Sequence, residues 1–217
     1  MTHFKLAPLA LVAALSLGSV AASADTTLIS EGFDDVSTLA GNGWLLLNRS
    51  SPLGIVDTWY QGQDYIFPAL SGAPDSYIAS NYNAGTTGGS IADWLMTPTF
   101  STQFAGQVSF SIRSDVQAGY VDFFSFGLSN GGTATSDFTL SKAAIVPGDW
   151  TTYTMSFAGT GTNSVGRLAI VHVGLADIAN YIGVDNVLVT AVPEMPTSAL
   201  AAAGLLTLAL MRRRLSR

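Results

Sequence analysis

Across residues 25–191 the apolar side chains recur with a period of two, and that alternation restricts the chain to β structure. Val108, Phe110 and Ile112 alternate with Ser109, Ser111 and Arg113, the pattern of a strand with one buried face. Aromatic and β-branched runs follow at Tyr120–Leu128, Trp150–Phe157, Arg167–Val173 and Tyr181–Thr190. Glycine and polar clusters separate them at Asn130-Gly131-Gly132, Pro147-Gly148-Asp149 and Gly159 to Gly166, where the backbone can turn. Thr26–Phe33 opens the series, with shorter candidates at Trp44–Leu47, Thr58–Gln61, Tyr77–Ser80 and Trp94–Thr97. No heptad and no convincing amphipathic helix interrupts them. Nine or ten strands joined by glycine-rich turns predict an all-β fold, a two-sheet jelly-roll sandwich; a closed barrel satisfies the same periodicity.

The two ends of the chain differ from this body. Residues 1–24 place Lys5 before an apolar run from Leu6 to Val20 and finish at Ala22-Ser23-Ala24, the order of an export signal with Ala22 and Ala24 at its cleavage site. At the other end, thirteen residues from Ala199 to Met211 hold Thr207 as their only polar member and lead into Arg212-Arg213-Arg214. As a helix they would span about 20 Å against a hydrocarbon core of roughly 30 Å, a marginal crossing. The arginines resist translocation and so belong on the cytoplasmic side. Three segments result: an export signal over 1–24, a β body over 25–191 and a sorting or anchor segment over 192–217, with the body outside the cell.

Pro193-Glu194-Met195-Pro196, the short apolar stretch and the basic terminus together resemble the PEP-CTERM sorting signal of Gram-negative bacteria. Met195 stands where that motif has its second proline, which here comes one residue later. The resemblance implies recognition of the tail by an exosortase, with the hydrophobic helix held in the membrane before processing. It also implies a product at the cell surface, the outer membrane or the extracellular matrix.

Charge narrows the classes of partner. The body carries fourteen acidic side chains against four basic ones, Arg49, Arg113, Lys142 and Arg167. Nucleic-acid binding needs the opposite balance and is excluded, whereas divalent cations are attracted. The chain has no cysteine, so neither disulfides nor a thiolate metal site can hold an exported fold together. Hydrophobic packing is left, with a bound metal as the other means of support.

The landmarks of the body fall in a definite order: Glu31-Gly32-Phe33-Asp34, Gly43-Trp44, Trp59, Ala79-Ser80-Asn81, Asp93-Trp94-Leu95-Met96-Thr97-Pro98 and Val184-Asp185-Asn186-Val187. As an ordered set they resemble a choice-of-anchor J domain, related to the cleaved adhesin modules of secreted bacterial proteins. The resemblance covers about Leu28 to Thr190. It implies a non-catalytic jelly-roll module that acts in adhesion or in contact with extracellular polysaccharide or surface glycans.

Two constellations carry candidate chemistry. Glu31, Asp34 and Asp35 follow the first strand and Asp185-Asn186 lies in the last; chain termini tend to lie close together, so these oxygens can converge. Calcium takes six to eight oxygen ligands. Related jelly rolls hold a structural calcium near the chain ends, and that resemblance nominates Glu31, Asp34 and Asp185. The plainer reading has Asp34-Asp35 capping a short helix from Val36 to Leu39. Among the aromatics, Trp59-Tyr60-Gln61 with Gln63-Asp64-Tyr65 combines flat rings with side chains that bond hydroxyls, the mixture a sugar requires. Trp59, Tyr60, Gln61 and Tyr65 are therefore the candidate glycan contacts, with core packing the competing role for the tryptophan.

Catalytic motifs are few. His172 is the only histidine of the body and shares a strand face with Leu168 and Ile170, the position of a buried, hydrogen-bonded side chain. Nucleophile elbows, His-Glu zinc motifs and phosphate-binding glycine loops are absent. A glycoside hydrolase or lyase on the same fold is the alternative, since two carboxylates on one face suffice for it. Asp115 and Asp122 flank a predicted turn and are the pair most able to approach each other.

Overall fold

A computed structural model describes residues 25–192. The signal with Ala22 and Ala24 lies outside the described residues. So does the tail with Pro193, Glu194, Met195, Pro196, Arg212, Arg213 and Arg214 and its expected membrane helix. Among the described residues no helix is long and apolar enough to cross a membrane.

Fourteen strands follow one another in the described residues: β1 (Thr26–Glu31), β2 (Leu45–Asn48), β3 (Ser51–Leu53), β4 (Tyr60–Gln61), β5 (Ile78–Asn81), β6 (Gly85–Met96), β7 (Phe100–Ser101), β8 (Gly106–Ser114), β9 (Phe123–Ser129), β10 (Thr139–Leu140), β11 (Ala144–Ile145), β12 (Thr151–Phe157), β13 (Val165–Leu175) and β14 (Tyr181–Ala191). They form the two antiparallel sheets of a sandwich, as the alternation predicts. The first runs β12-β8-β14-β5-β4, with β1 paired to the second half of β14. The second runs β10-β9-β13-β6-β2, with β11, β3 and β7 paired to its longer strands.

The main core lies between the sheets. Val108, Phe110, Ile112, Ile182, Val184 and Val189 come from the first; Leu95, Phe124, Leu168 and Ile170 come from the second. Phe110 sits edge-on to Phe124 and Phe126 and stacks on Tyr153. A second cluster gathers Trp94, Met96, Ala169 and Val171, the side chains that alternate with the inward ones on β6 and β13, and adds Phe138 from just before β10. A third joins Phe67, Tyr77, Ala79 and Tyr181, with Trp150 packed against it. Trp44 and Trp94 are thus buried, as their strand positions imply.

Two strand boundaries differ most from the sequence expectation. The strand around Trp94 already begins at Gly85. Its glycine-rich first half is held by pairing with β3 and β13, and a Cβ on Gly89 would lie 2.8 Å from the Ser51 carbonyl oxygen. The run from Tyr120 becomes a strand only at Phe123. Before it the chain turns, with the Tyr120 N–H donating to the Gln117 carbonyl and Gly119 at a φ of +89°, a conformation glycine adopts without strain.

Candidate functional site

A chain of buried polar groups crosses the sandwich. Asp93 on β6 and His172 on β13 are direct cross-strand partners, and Ser80 on β5 reaches them from the opposite sheet. The Ser80 hydroxyl donates to Asp93 Oδ2 at 2.8 Å and lies 3.1 Å from His172 Nδ1. His172 Nε2 is 3.2 Å from Asp122 Oδ1, which also accepts the Asn180 N–H at 2.7 Å. The Thr58 hydroxyl closes the other end by donating to Asp93 Oδ1 at 3.0 Å. A carboxylate can only accept, so a hydrogen bond between Asp122 and His172 Nε2 requires the proton on that nitrogen. Burial pushes the Asp93 carboxyl up from 3.8 to about 6, against the lowering pull of Ser80, Thr58 and His172.

This set superficially matches a nucleophile, a base and an orienting acid, which the sequence did not reveal. Its burial tells against that use. Ser80, Asp93 and His172 have no exposed surface, and the Ser80 hydroxyl is directed at Asp93. The arrangement ties β5 to β6 and β13, and its chemistry is that of an internal latch. His172 is the buried, hydrogen-bonded side chain expected from its strand face. Asp115 and Asp122 do approach each other, but through Asn180: its N–H bonds Asp122 and its side-chain amide bonds Asp115 Oδ2 at 3.0 Å. With Asp122 buried against His172, the two do not face a common cleft.

The acidic residues at the chain ends lie near one another. β1 pairs Glu31 with Val187, inside an irregular stretch of β14 in which Asn186 takes a φ of 51°. Asp185 is buried; its Oδ2 accepts the N–H groups of Leu70 and Ser71, and its Oδ1 accepts that of Asn186. Burial raises its carboxyl, and the Asp34 charge raises it further. A Cβ on Gly72 would come 3.1 Å from Asp34 Oδ1, so glycine there leaves room for the carboxylate. Glu31 Oε1 accepts the Phe33 N–H at 2.8 Å. Asp35 caps the short 3-10 turn Val36–Thr38 by accepting the Ser37 N–H, which realises the capping reading for that residue. Among the described residues, no three acidic or histidine side chains are grouped closely enough to hold a metal ion by themselves, so a cation at the chain ends would depend on backbone oxygens as well.

The aromatic candidates divide. Trp59 is 3% exposed and belongs to the main core with Phe33, Leu39 and Trp44, so its ring is not a stacking surface for a sugar. The stretch around it looks like a polar loop, yet the large apolar area of an indole draws it inside. Gln61 is also removed from the glycan set, because its amide is fully engaged. It accepts the Val36 N–H and donates to the carbonyls of Phe33 and Asp75, cross-linking three loops. Tyr60 is half-buried and its hydroxyl accepts from the Asn81 amide. Tyr65 is 77% exposed, with its hydroxyl donating to Gln63 Oε1.

Sequence reasoning missed a groove. It encloses about 590 Å³ between Gly54-Ile55, the turn Tyr82–Ala84 and the turn that carries Ala176 to Asn180, with Tyr120 on its rim. A second hollow of about 430 Å³ is lined by Val56 to Tyr60, Gln63 and Asn81. The groove's lining residues come from segments far apart in the sequence, which no local pattern brings together.

No protein-family model matches the sequence, and no curated protein matches it. Solved structures do share its architecture. The K2 cleaved adhesin domain of Lys-gingipain aligns at a TM-score of 0.56 and 19% identity, over 76% of this chain and 99% of that domain. The K1 cleaved adhesin domain of Lys-gingipain from Porphyromonas gingivalis W83 aligns at 0.55 and 17%, over 76% and 98%. The K3 domain from the same organism aligns at 0.50 and 15%, over 77% and 99%. At such identities the likeness is one of fold.

Proposed function

We propose that the chain is an exported surface or matrix protein whose β body is a non-catalytic adhesion module contacting extracellular polysaccharide or surface glycans. The observation that supports this reading is the likeness in fold of three cleaved adhesin domains, aligned over nearly their whole length; the choice-of-anchor J resemblance of the sequence points the same way. Export and exosortase sorting rest on the two ends of the chain, with the PEP-CTERM-like tail attached to the membrane until it is processed. The excess of acidic side chains keeps such a body soluble and apart from anionic polymers. The test is a glycan array probed with the full-length chain, alongside an assay for reducing sugar. Bound spots with no sugar released support the reading. A uniformly blank array removes glycan contact, and release of sugar replaces it with the hydrolase or lyase alternative.

Calcium is proposed as a structural aid at the chain ends. Asp34 and Asp185 fit an oxygen-liganded cation in one respect: burial raises the Asp185 carboxyl and the Asp34 charge adds to it, and a divalent charge between the two would relieve their repulsion. Glu31 would contribute the carboxylate oxygen not bonded to Phe33, and backbone carbonyls would complete the shell. A cation bound only to the folded state adds about 2.7 kcal/mol at a hundredfold excess over its dissociation constant. Excess EDTA is accordingly expected to lower the melting temperature by several degrees, with calcium restoring it. A melting curve indifferent to both ends the proposal.

A further inference from the structure

We infer that the groove between the 54–56 segment, the Tyr82–Ala84 turn and the Ala176–Asn180 turn binds a neutral oligosaccharide, with the rings of Tyr82 and Tyr120 as its stacking surfaces. This deepens the carbohydrate-contact reading above and rests on it. Tyr82 and Tyr120 are 46% and 52% exposed and both line the hollow. Large aromatic rings half in solvent at the mouth of a cleft are apolar area that folding has left uncovered. Asn83, with Thr86 and Thr87, supplies the amide and hydroxyls that a sugar needs. The Asn83 backbone is used, its N–H on Asn81 and its carbonyl on Val56, while its side-chain amide has no hydrogen-bond partner among the described residues.

The walls are held in place before any ligand arrives, so little ordering cost opposes binding. The Gly54 N–H donates to the Ala84 carbonyl at 2.9 Å and the Val56 N–H to the Asn83 carbonyl at 3.1 Å. The Asn48 amide bridges the carbonyls of Val56 and Ala84 from beneath. A Cβ on Gly54 would stand 1.9 Å from the Asn83 carbonyl oxygen, so only glycine lets the two segments approach this closely. On the far side the Tyr82 N–H donates to the Asn180 carbonyl at 2.9 Å. Asn180 is itself fixed by Asp115 and Asp122.

Charge selects the class of sugar. No lysine or arginine lines either hollow, and Asp177 and Asp57 are the charged residues there. Uronic acids and sulfated sugars would meet repulsion without a cationic partner, whereas a neutral chain meets none. The second hollow is lined by residues 56–60, the part of the chain that follows the Gly54-Ile55 wall of the first.

Affinity electrophoresis of the full-length chain tests this, in gels containing xylan, mixed-linkage β-glucan, galactan or laminarin, with polygalacturonate as the anionic comparison. At least one neutral polymer is expected to retard the chain. Tyr82→Ala and Tyr120→Ala should each weaken that binding about tenfold or more, the usual effect of truncating an aromatic anchor, while Val165→Ala, exposed and outside both hollows, leaves it unchanged. Both tyrosines are partly exposed, so melting curves should stay close to wild type. Retardation lost in a Tyr65→Ala variant but in neither groove variant overturns the groove and leaves the glycan reading standing. Stronger retardation by polygalacturonate overturns the neutral class. Retardation by no polymer overturns the groove and the reading together.

Discussion

Replacing His172 by alanine is expected to cost about 3–5 kcal/mol of stability, the range for leaving a buried carboxylate without its partner. For a domain of this size that lowers the melting temperature by roughly 10 °C or more. The side chain is fully buried and joins Ser80 of one sheet to Asp122 beside the other. Removing it leaves Asp122 with the Asn180 N–H as its remaining donor and opens a void between Leu168, Ile170 and their neighbours. An Asp122→Asn change should soften the loss, because a neutral amide tolerates the missing partner better than a carboxylate does. Thermal melts of the two single variants and the double variant measure the coupling. A drop of under about 3 °C for His172→Ala would mean that the latch does not hold the sheets together.

Much of the sandwich was legible in the sequence, because one-sided burial writes itself as alternation. Val108, Phe110 and Ile112 point inward as their spacing requires, and His172 shares its buried face with Leu168 and Ile170. The polar latch was not legible. Asp93 meets His172 through strand register and Ser80 meets both from the other sheet, and no local pattern encodes register between distant segments. Trp59 and Gln61 misled for a related reason. A short segment rich in glycine and polar residues has no period, so its inward and outward side chains cannot be told apart until the core beneath it is known. The groove is assembled from three turns distant in sequence, and turns are the part of a chain that periodicity describes least.

The latch and the groove are one piece of construction. Thr58, on the segment that walls the second hollow, donates to Asp93. Asn180, on the turn that walls the first, donates to Asp122 and accepts from Tyr82. The buried polar chain therefore ends at both walls.

The protonation of Asp93 gives the second large effect, a dependence of stability on pH that Asp93→Asn should abolish. Burial raises the folded carboxyl to about 6 from 3.8, so between these values the folded state holds a proton that the unfolded state has released. Stability from this group is fully present below about pH 3.8 and is lost as the pH rises through 6, because folding then requires a buried anion. The shift corresponds to roughly 3 kcal/mol. Asparagine keeps the geometry: its amide can donate to Ser80, whose hydroxyl then turns to His172 Nδ1, while its carbonyl accepts from Thr58. The groups facing Asp93 are Ser80 on β5, His172 on β13 and Thr58, with Asp122 beyond the imidazole. Urea unfolding at pH 4, 5, 6 and 7 should therefore show the variant gaining on the wild type by roughly 2.5 kcal/mol across the series. Parallel stability curves for the two proteins would show instead that Asp93 ionises in the folded state as readily as in the unfolded chain.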